Sequence, residues 1–233
     1  MARTKKDFDI AIIGGGIAGI TLAIALHSRG IKIKLYERAA KFGEIGAGVS
    51  FTPNAVAAMK ECHEGVYEAF NKVCTRNTWP SKRNVFFDYV AGYEEGKDAQ
   101  EKIQFTTTNA QGQNAVHRAH FLDEMVKLVP REISEFGKGL VDITDAVDGS
   151  GRKVMHFADG TTASADAVIA CDGIKSRARV IMFGADHPCA YPTYTHKYAY
   201  RGLVPMDAAI AAVGEEMAQN SFMHVSTASC SAL

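Results

Sequence analysis

Phe8-Asp9-Ile10-Ala11-Ile12-Ile13-Gly14-Gly15-Gly16-Ile17-Ala18-Gly19 is the stretch on which the reading of this chain turns. Ile10 to Ile13 is a short, β-branched, apolar run bounded by glycines, the pattern of a strand buried on both faces of a parallel sheet. Gly14, Gly16 and Gly19 satisfy G-x-G-x-x-G. The first glycine permits a tight turn, the second lets a pyrophosphate approach the backbone, and the third lets helix pack on strand. Ile17, Ile20, Leu22, Ile24 and Leu26 make the following helix largely apolar. Its free N-terminal N–H groups favour an anion. Gly30, after His27 and Arg29, is placed to end that helix. Ile31 to Tyr36 then reads as a second strand, closed by Glu37, where the motif wants a carboxylate for ribose hydroxyls. Strand, helix, strand and acid in that order point to a dinucleotide site.

The bulk properties exclude several other functions. The chain has 233 residues, with 26 basic and 26 acidic side chains and a net charge of zero. No basic run suggests nucleic acid or an anionic membrane. Ile10 to Leu26 is nearly uncharged, but its glycines and its length, short for a span, disfavour a membrane anchor. The five cysteines, Cys62, Cys74, Cys171, Cys189 and Cys230, are scattered, and none forms C-x-x-C. That suits reduced thiols in a cytoplasmic protein and offers no metal framework. His63, His117 and His120 lack convincing partners for a metal site.

Downstream, Gly43, Gly46 and Gly48 read as a loop close to something bulky. Thr52-Pro53 opens a helix that Ala55 to Cys62 continue, and a second helix is expected over Val66 to Val73. Asn84 to Val90 reads as a strand with Val85, Phe87 and either Tyr89 or Phe86 inward, and Ile103 to Phe105 as its antiparallel partner. Leu122, Met125, Val126 and Val129 have helical spacing and read as core. Arg118 stands where strand becomes helix. Strands are expected at 140–146 and 167–170, with a hairpin turn at Asp159-Gly160. A helix should run to about Met182, and Tyr198 to Val204 should form a strand. The expected central sheet is parallel, with strands near 10–13, 32–36, 140–146 and 167–170, and with the antiparallel element 84–105 added to it.

Phe157 to Arg179 resembles the second signature of the group A flavoprotein monooxygenases, in which a strand ends in Asp-Gly, followed by Ser and Arg at three-residue steps. Here those residues are Asp172, Gly173, Ser176 and Arg179. The glycine fingerprint, FGEIGAGVSFTPNA at 42–55, VHRAHFL at 116–122 and YRGLVP at 200–205 resemble the same family, most closely its fungal salicylate-hydroxylase-like members. The resemblance implies an α/β fold: a Rossmann-like, glutathione-reductase-type FAD-binding domain over 1–185 and the start of a mixed-sheet substrate domain over 186–233. It implies FAD as cofactor, NAD(P)H as co-substrate, dioxygen as oxidant and a small phenolic or salicylate-like substrate.

The resemblance also implies residue roles. Gly14, Gly16 and Gly19 would hold the FAD pyrophosphate, Glu37 the adenosine ribose, and Arg38 would lie beside the adenine. Ala47 and Gly48 would pass close to the flavin, and Arg118 would contact the cofactor near its ribityl or phosphate part. Asp172 and Gly173 would serve both FAD and the nicotinamide dinucleotide. Arg201 would face flavin and substrate. The family's third signature, a Gly-Asp on a late strand, does not follow Arg201 here. The resemblance therefore implies a C-terminally truncated member, with a dinucleotide-binding fragment of low or no activity as the alternative to an active hydroxylase. An NAD-linked dehydrogenase sharing only the first fingerprint is disfavoured by the Asp172 motif.

Overall fold

The computed structural model describes residues 7–43, 48–91, 103–196 and 202–225. In chain order the elements are β1 (Asp9–Ile13), α1 (Ile17–Ser28), β2 (Lys32–Glu37), β3 (Gly48–Ser50), α2 (Pro53–Cys62), α3 (Glu64–Val73), β4 (Val85–Ala91) and β5 (Ile103–Thr108). Then come β6 (Ala115–His117), α4 (Arg118–Val126), β7 (Ser134–Phe136), β8 (Leu140–Asp145), β9 (Lys153–Phe157), β10 (Thr162–Ala165) and β11 (Ala167–Ala170). The chain closes with α5 (Arg177–Phe183), α6 (Met206–Val213), α7 (Glu215–Gln219) and β12 (Phe222–Val225). These elements fall into two compact units. One comprises Met1–Ala47, Ala58–Val73 and Arg118–Ala199; the other comprises Gly48–Ala57, Cys74–His117 and Tyr200–Leu233.

The first unit is built on a four-stranded sheet in the order β11-β1-β2-β7. All its pairings are parallel, with Ile10 opposite both Ala167 and Ile33. As expected, β1 is central, and Ile10 to Ile13 are buried. Ala11 and Ile13 join Tyr36, Met155, Phe157 and Ala165 in one core cluster, under the antiparallel meander β8-β9-β10. The period-2 alternation turns Ile10 and Ile12 to the other face, where α1 crosses from β1 to β2. There Ile20 and Ile24 are buried, and α4 contributes Phe121, Leu122 and Met125. Phe121 meets Phe70 of α3 edge-on at 6.0 Å. The Leu122 and Met125 stripe is thus core, as its spacing implied. Burial first, then the Glu135 and Asp9 carboxylates, push the Tyr36 hydroxyl up to about 12, so it stays neutral in the core cluster.

One strand assignment is corrected. Residues 140–146 do not join the parallel sheet; Ser134–Phe136 takes that place beside β2. Gly137, at φ 71°, turns the chain after Phe136. Leu140-Val141-Asp142-Ile143-Thr144-Asp145 is half polar, which suits a strand with one wet face rather than the continuous apolar run of a buried parallel strand. It pairs antiparallel with β9 instead. The Asp159-Gly160 turn joins β9 to β10 as expected, with Gly160 at φ 81°.

In the second unit β4 pairs antiparallel with β5 and parallel with β12, making a mixed three-stranded sheet. The expectation that this hairpin belongs to the parallel-sheet domain is corrected, since it lies with β12. The inward set of β4 is corrected too. Val85, Asp88 and Val90 are buried, because a register shift between Val85 and Phe87 changes the parity of the strand. Asp88, 1% exposed, is compensated by Lys82 Nζ at 2.7 Å and the Thr106 hydroxyl at 2.5 Å. Gly202–Val204 form no strand, and the rest of that expected element lies outside the described residues. Among the described residues no helix is long and apolar enough to cross a membrane.

A charged clip fixes the register at the start of β1 and β11. The Asp9 N–H donates to Asp166 Oδ2 at 2.7 Å, and the Asp166 N–H donates to Asp9 Oδ1 at 3.0 Å. Arg152 Nη2 donates to Asp9 at 2.9 Å and Nη1 to Asp166 at 2.7 Å. Partial burial pushes the Asp9 carboxyl up, but the Arg152 guanidinium and the Asp166 N–H overcome it and hold it down from 3.8 to about 2. The clip is therefore at full strength above about pH 4 and is lost as pH falls through about 2. Arg152→Met is expected to lower the thermal midpoint by a few degrees at pH 7. Melting curves from pH 7 to 2 should show that difference shrinking below about pH 4.

Candidate functional site

The carboxyl ends of β1, β2 and β11 open onto one cleft of about 490 Å³, formed within the first unit. Its floor is Gly14-Gly15-Gly16. Gly14 adopts φ 104°, and a Cβ there would stand 2.4 Å from the Cys171 carbonyl oxygen. The Gly14 N–H donates to the Tyr36 oxygen at 2.8 Å, and the Cys171 N–H to the Ile13 oxygen at 2.7 Å. These bonds carry the ladder of the sheet to the lip of the cleft. Gly16 caps α1 with no side-chain hydrogen bond, and no acidic residue lies in the first turn. The N–H groups there are thus left to an anion. Gly19 sits beneath the floor. A Cβ on it would lie 1.9 Å from the Gly14 oxygen, so helix and turn touch backbone to backbone.

Glu37 and Arg38 line one side. The Glu37 carboxylate is already engaged: Oε2 accepts from the Gly15 N–H at 2.6 Å and Oε1 from the Ala39 N–H at 2.8 Å. Each oxygen has a second lone pair, so both can still accept from hydroxyls. Asp172 and Gly173 line the opposite side. Asp172 Oδ2 accepts from the N–H groups of Arg177 at 2.7 Å and Ala178 at 3.1 Å. Ser176 Oγ accepts from the Arg179 N–H at 3.0 Å. The Arg179 guanidinium holds the carbonyls of Ile174 at 2.6 Å and Ala190 at 3.1 Å. The Asp-Gly-x-x-Ser-x-x-Arg spacing is thus a self-bonded loop that sets Asp172 and Gly173 against the glycine turn.

Six of the residues singled out from sequence therefore share this cleft: Gly14, Gly16, Glu37, Arg38, Asp172 and Gly173. Arg118 is not among its lining residues. It is half-buried at the first position of α4, directly after β6, as the strand-to-helix reading placed it. Gly48 opens β3 and pairs with His117, the residue before Arg118. Ala47 and Arg201 lie outside the described residues.

Sequence reasoning missed Phe42, Lys138 and the pair Lys175 and Arg177, all of which line the cleft. Lys138 is aimed by Asp159 at 2.7 Å and Thr161 at 2.8 Å in the β9–β10 turn. Its ammonium, with the Thr161 hydroxyl and N–H, holds the Asp159 carboxyl down from 3.8 to about 2. The Cys171 thiol, at the rim, is pushed up by burial and then by the Asp172 charge, so it stays protonated near neutrality. An uncapped helix start, a bare glycine floor, a carboxylate and four cations fit a dinucleotide whose pyrophosphate sits at α1 and whose ribose meets Glu37.

Residues 7–182 match the family described as FAD binding domain. The chain belongs to that family. Among its relatives, the FAD-dependent monooxygenase pigN of Monascus ruber is 46% identical over 227 residues, covering 97% of this chain and 51% of the relative. The 6-methylsalicylate 1-monooxygenase atA of Aspergillus terreus is 46% identical over 216 residues, covering 92% of this chain and 48% of the relative. The solved structure of a salicylate hydroxylase substrate complex superposes with a TM-score of 0.74 at 33% identity, covering 94% of this chain and 50% of that one. The chain spans about half the length of the curated relatives it matches. The matched segment contains the expected parallel sheet and takes in residues of both units.

Gly19→Ala tests the backbone contact under the cleft. It is expected to cost about 3 kcal/mol through overpacking against Gly14, read as a lowered midpoint in chemical denaturation. Gly43→Ala is the control. A Cβ at Gly43 has nothing within 4 Å, so its midpoint should not move.

Proposed function

We propose that this chain provides the cofactor-binding half of an FAD-dependent monooxygenase that hydroxylates a small aromatic compound of phenolic or salicylate type, with NAD(P)H and dioxygen. The observation that carries this reading is the convergence of Gly14–Gly16, Glu37 and Asp172–Gly173 on one cleft. The 46% identity to a 6-methylsalicylate 1-monooxygenase supports the substrate class. FAD, when bound, supplies the redox chemistry that moves one oxygen atom from dioxygen to an aromatic ring.

Every other contribution in this reading belongs to the chain's own side chains and backbone. The α1 N-terminus and the side-chain-free Gly14 and Gly16 hold the pyrophosphate, with Gly19 keeping the helix close enough to do so. Glu37 accepts from the ribose hydroxyls while it holds the Gly15 and Ala39 N–H groups. Arg38 lies beside the adenine. In this reading Asp172 and Gly173 would serve both dinucleotides, Ala47 and Gly48 would be placed toward the flavin, and Arg118 would hold its ribityl or phosphate part. Arg201 would be the residue that meets the substrate, where a guanidinium stabilises a phenolate. Residues 1–185 form the cofactor side and 186–233 begin the substrate side, in a cytoplasmic protein.

A second reading, a chain that binds dinucleotide without turning it over, is favoured by one observation: the match covers only about half of each relative. Flavin titration and coupled turnover separate the two. Purified chain should take up FAD and turn yellow. Glu37→Ala is expected to weaken FAD binding by roughly 1–3 kcal/mol, because ribose hydroxyls lose their acceptor. Gly16→Val should weaken it at least as much by placing a side chain where the pyrophosphate sits. Unchanged affinity in both variants would rule out the site. NAD(P)H oxidation matched by hydroxylated product, over a panel of phenols and salicylates, supports the enzyme; peroxide alone, or no oxidation, supports the second reading.

A further inference from the structure

The glycine turn carries a residue that its motif leaves unexplained. Gly15 occupies a free position of G-x-G-x-x-G, yet a Cβ there would stand 2.7 Å from Phe42 Cε1 and 3.0 Å from Phe42 Cδ1. The same point is 3.1 Å from Glu37 Oε2. Ring and carboxylate oxygen therefore flank one spot, directly over the backbone whose N–H donates to Glu37 at 2.6 Å. The ring is itself anchored. Phe42 meets Phe136 edge-to-face, with centroids 4.7 Å apart and planes at 79°. Phe136 lies on β7 opposite Glu37 in the register of the sheet. Glu37, Phe136 and Phe42 thus close a triangle over Gly15, and Phe42 lines the cleft.

We propose that Phe42 is a cofactor-positioning residue: its ring lies on Gly15 and shields the Gly15–Glu37 hydrogen bond from water, so that the carboxylate stays aimed at the ribose. A hydrogen bond screened from water is stronger than one open to it, and a carboxylate held in one rotamer loses less entropy on taking its ligand. A Cβ at residue 15 would displace the ring from this place. This inference rests on the reading of the cleft as the FAD site.

The test uses the full chain, with FAD affinity and amide hydrogen exchange at Gly15 as readouts and thermal unfolding as the check on folding. Phe42→Ala is expected to weaken FAD binding about tenfold, Phe42→Leu less than about threefold because it keeps apolar cover, and Phe42→Ala in a Glu37→Ala background less than about twofold. Exchange at Gly15 should be faster in Phe42→Ala without any flavin present. An unchanged FAD affinity in Phe42→Ala, or an equal loss with and without Glu37, overturns the proposal, as does unchanged Gly15 exchange. Wild-type chain that takes up no FAD overturns the reading of the cleft and this proposal together. Wild-type binding with an indifferent Phe42→Ala overturns this proposal alone.

Discussion

The fold and its site both depend on one close approach of backbones. Gly14 meets the Cys171 carbonyl, and Gly19 meets the Gly14 carbonyl, at distances that admit no side chain. Through these contacts the end of β1, the start of α1 and the end of β11 occupy one small volume. The loop after β11 must then begin beside the glycine turn, although some 150 residues separate them, consistent with the Asp9–Asp166 pairing that spans 157 positions. The cleft follows from this geometry. Parallel strands all end on the same side, and where their loops part, a crevice opens at the helix N-terminus.

The two carboxylates of the cleft organise loops before they meet any ligand. Glu37 holds the turn after β1 and the chain after β2 through two backbone N–H groups. Asp172 holds the N–H groups of Arg177 and Ala178 and so shapes the loop that carries Lys175 into the cleft. Both negative charges are met by backbone donors, whereas Arg38, Lys138, Lys175 and Arg177 present positive charge to the cleft. The site therefore offers an anion more than its carboxylates alone would suggest. Loss of affinity on removing either acid combines a vanished ligand contact with a loosened loop, so ligand affinity and loop order must be read separately.

Legibility in the sequence followed the strength of the local constraint. The β1–α1–β2 unit was readable because a strand buried on both faces, a glycine turn and a helix leave three different periodicities in a row. The loop from Asp172 to Arg179 was readable through its resemblance to the family's second signature, which the structure explains as a chain of caps. The β9–β10 hairpin was readable from Asp159-Gly160. By contrast, β7 has three residues, too few for a period, and pairs at the sheet edge. Leu140–Asp145 has the length of a sheet strand, and only its half-polar pattern marks it for a sheet with one wet face. The inward face of β4 was misplaced because a register shift leaves no composition signal, and Asp88 can be buried only because Lys82 and Thr106, both outside its strand, compensate it. Phe42 opens the 42–55 stretch, but no local pattern assigned it a place in the cleft, and Lys138 carried no signal. Each reaches the cleft through a tertiary partner, Phe136 in one case and Asp159 in the other.

The separation of the two units bears on what half of a longer fold can do. Every cleft residue named above, from Gly14 to Arg177, belongs to the first unit, whose parallel sheet, helices and meander form a core around Ile12, Leu35 and Met155. The lining of the cleft is therefore drawn from the first unit. Gly48 and the β3–β6 ribbon belong to the second unit, and Arg118 follows that ribbon directly.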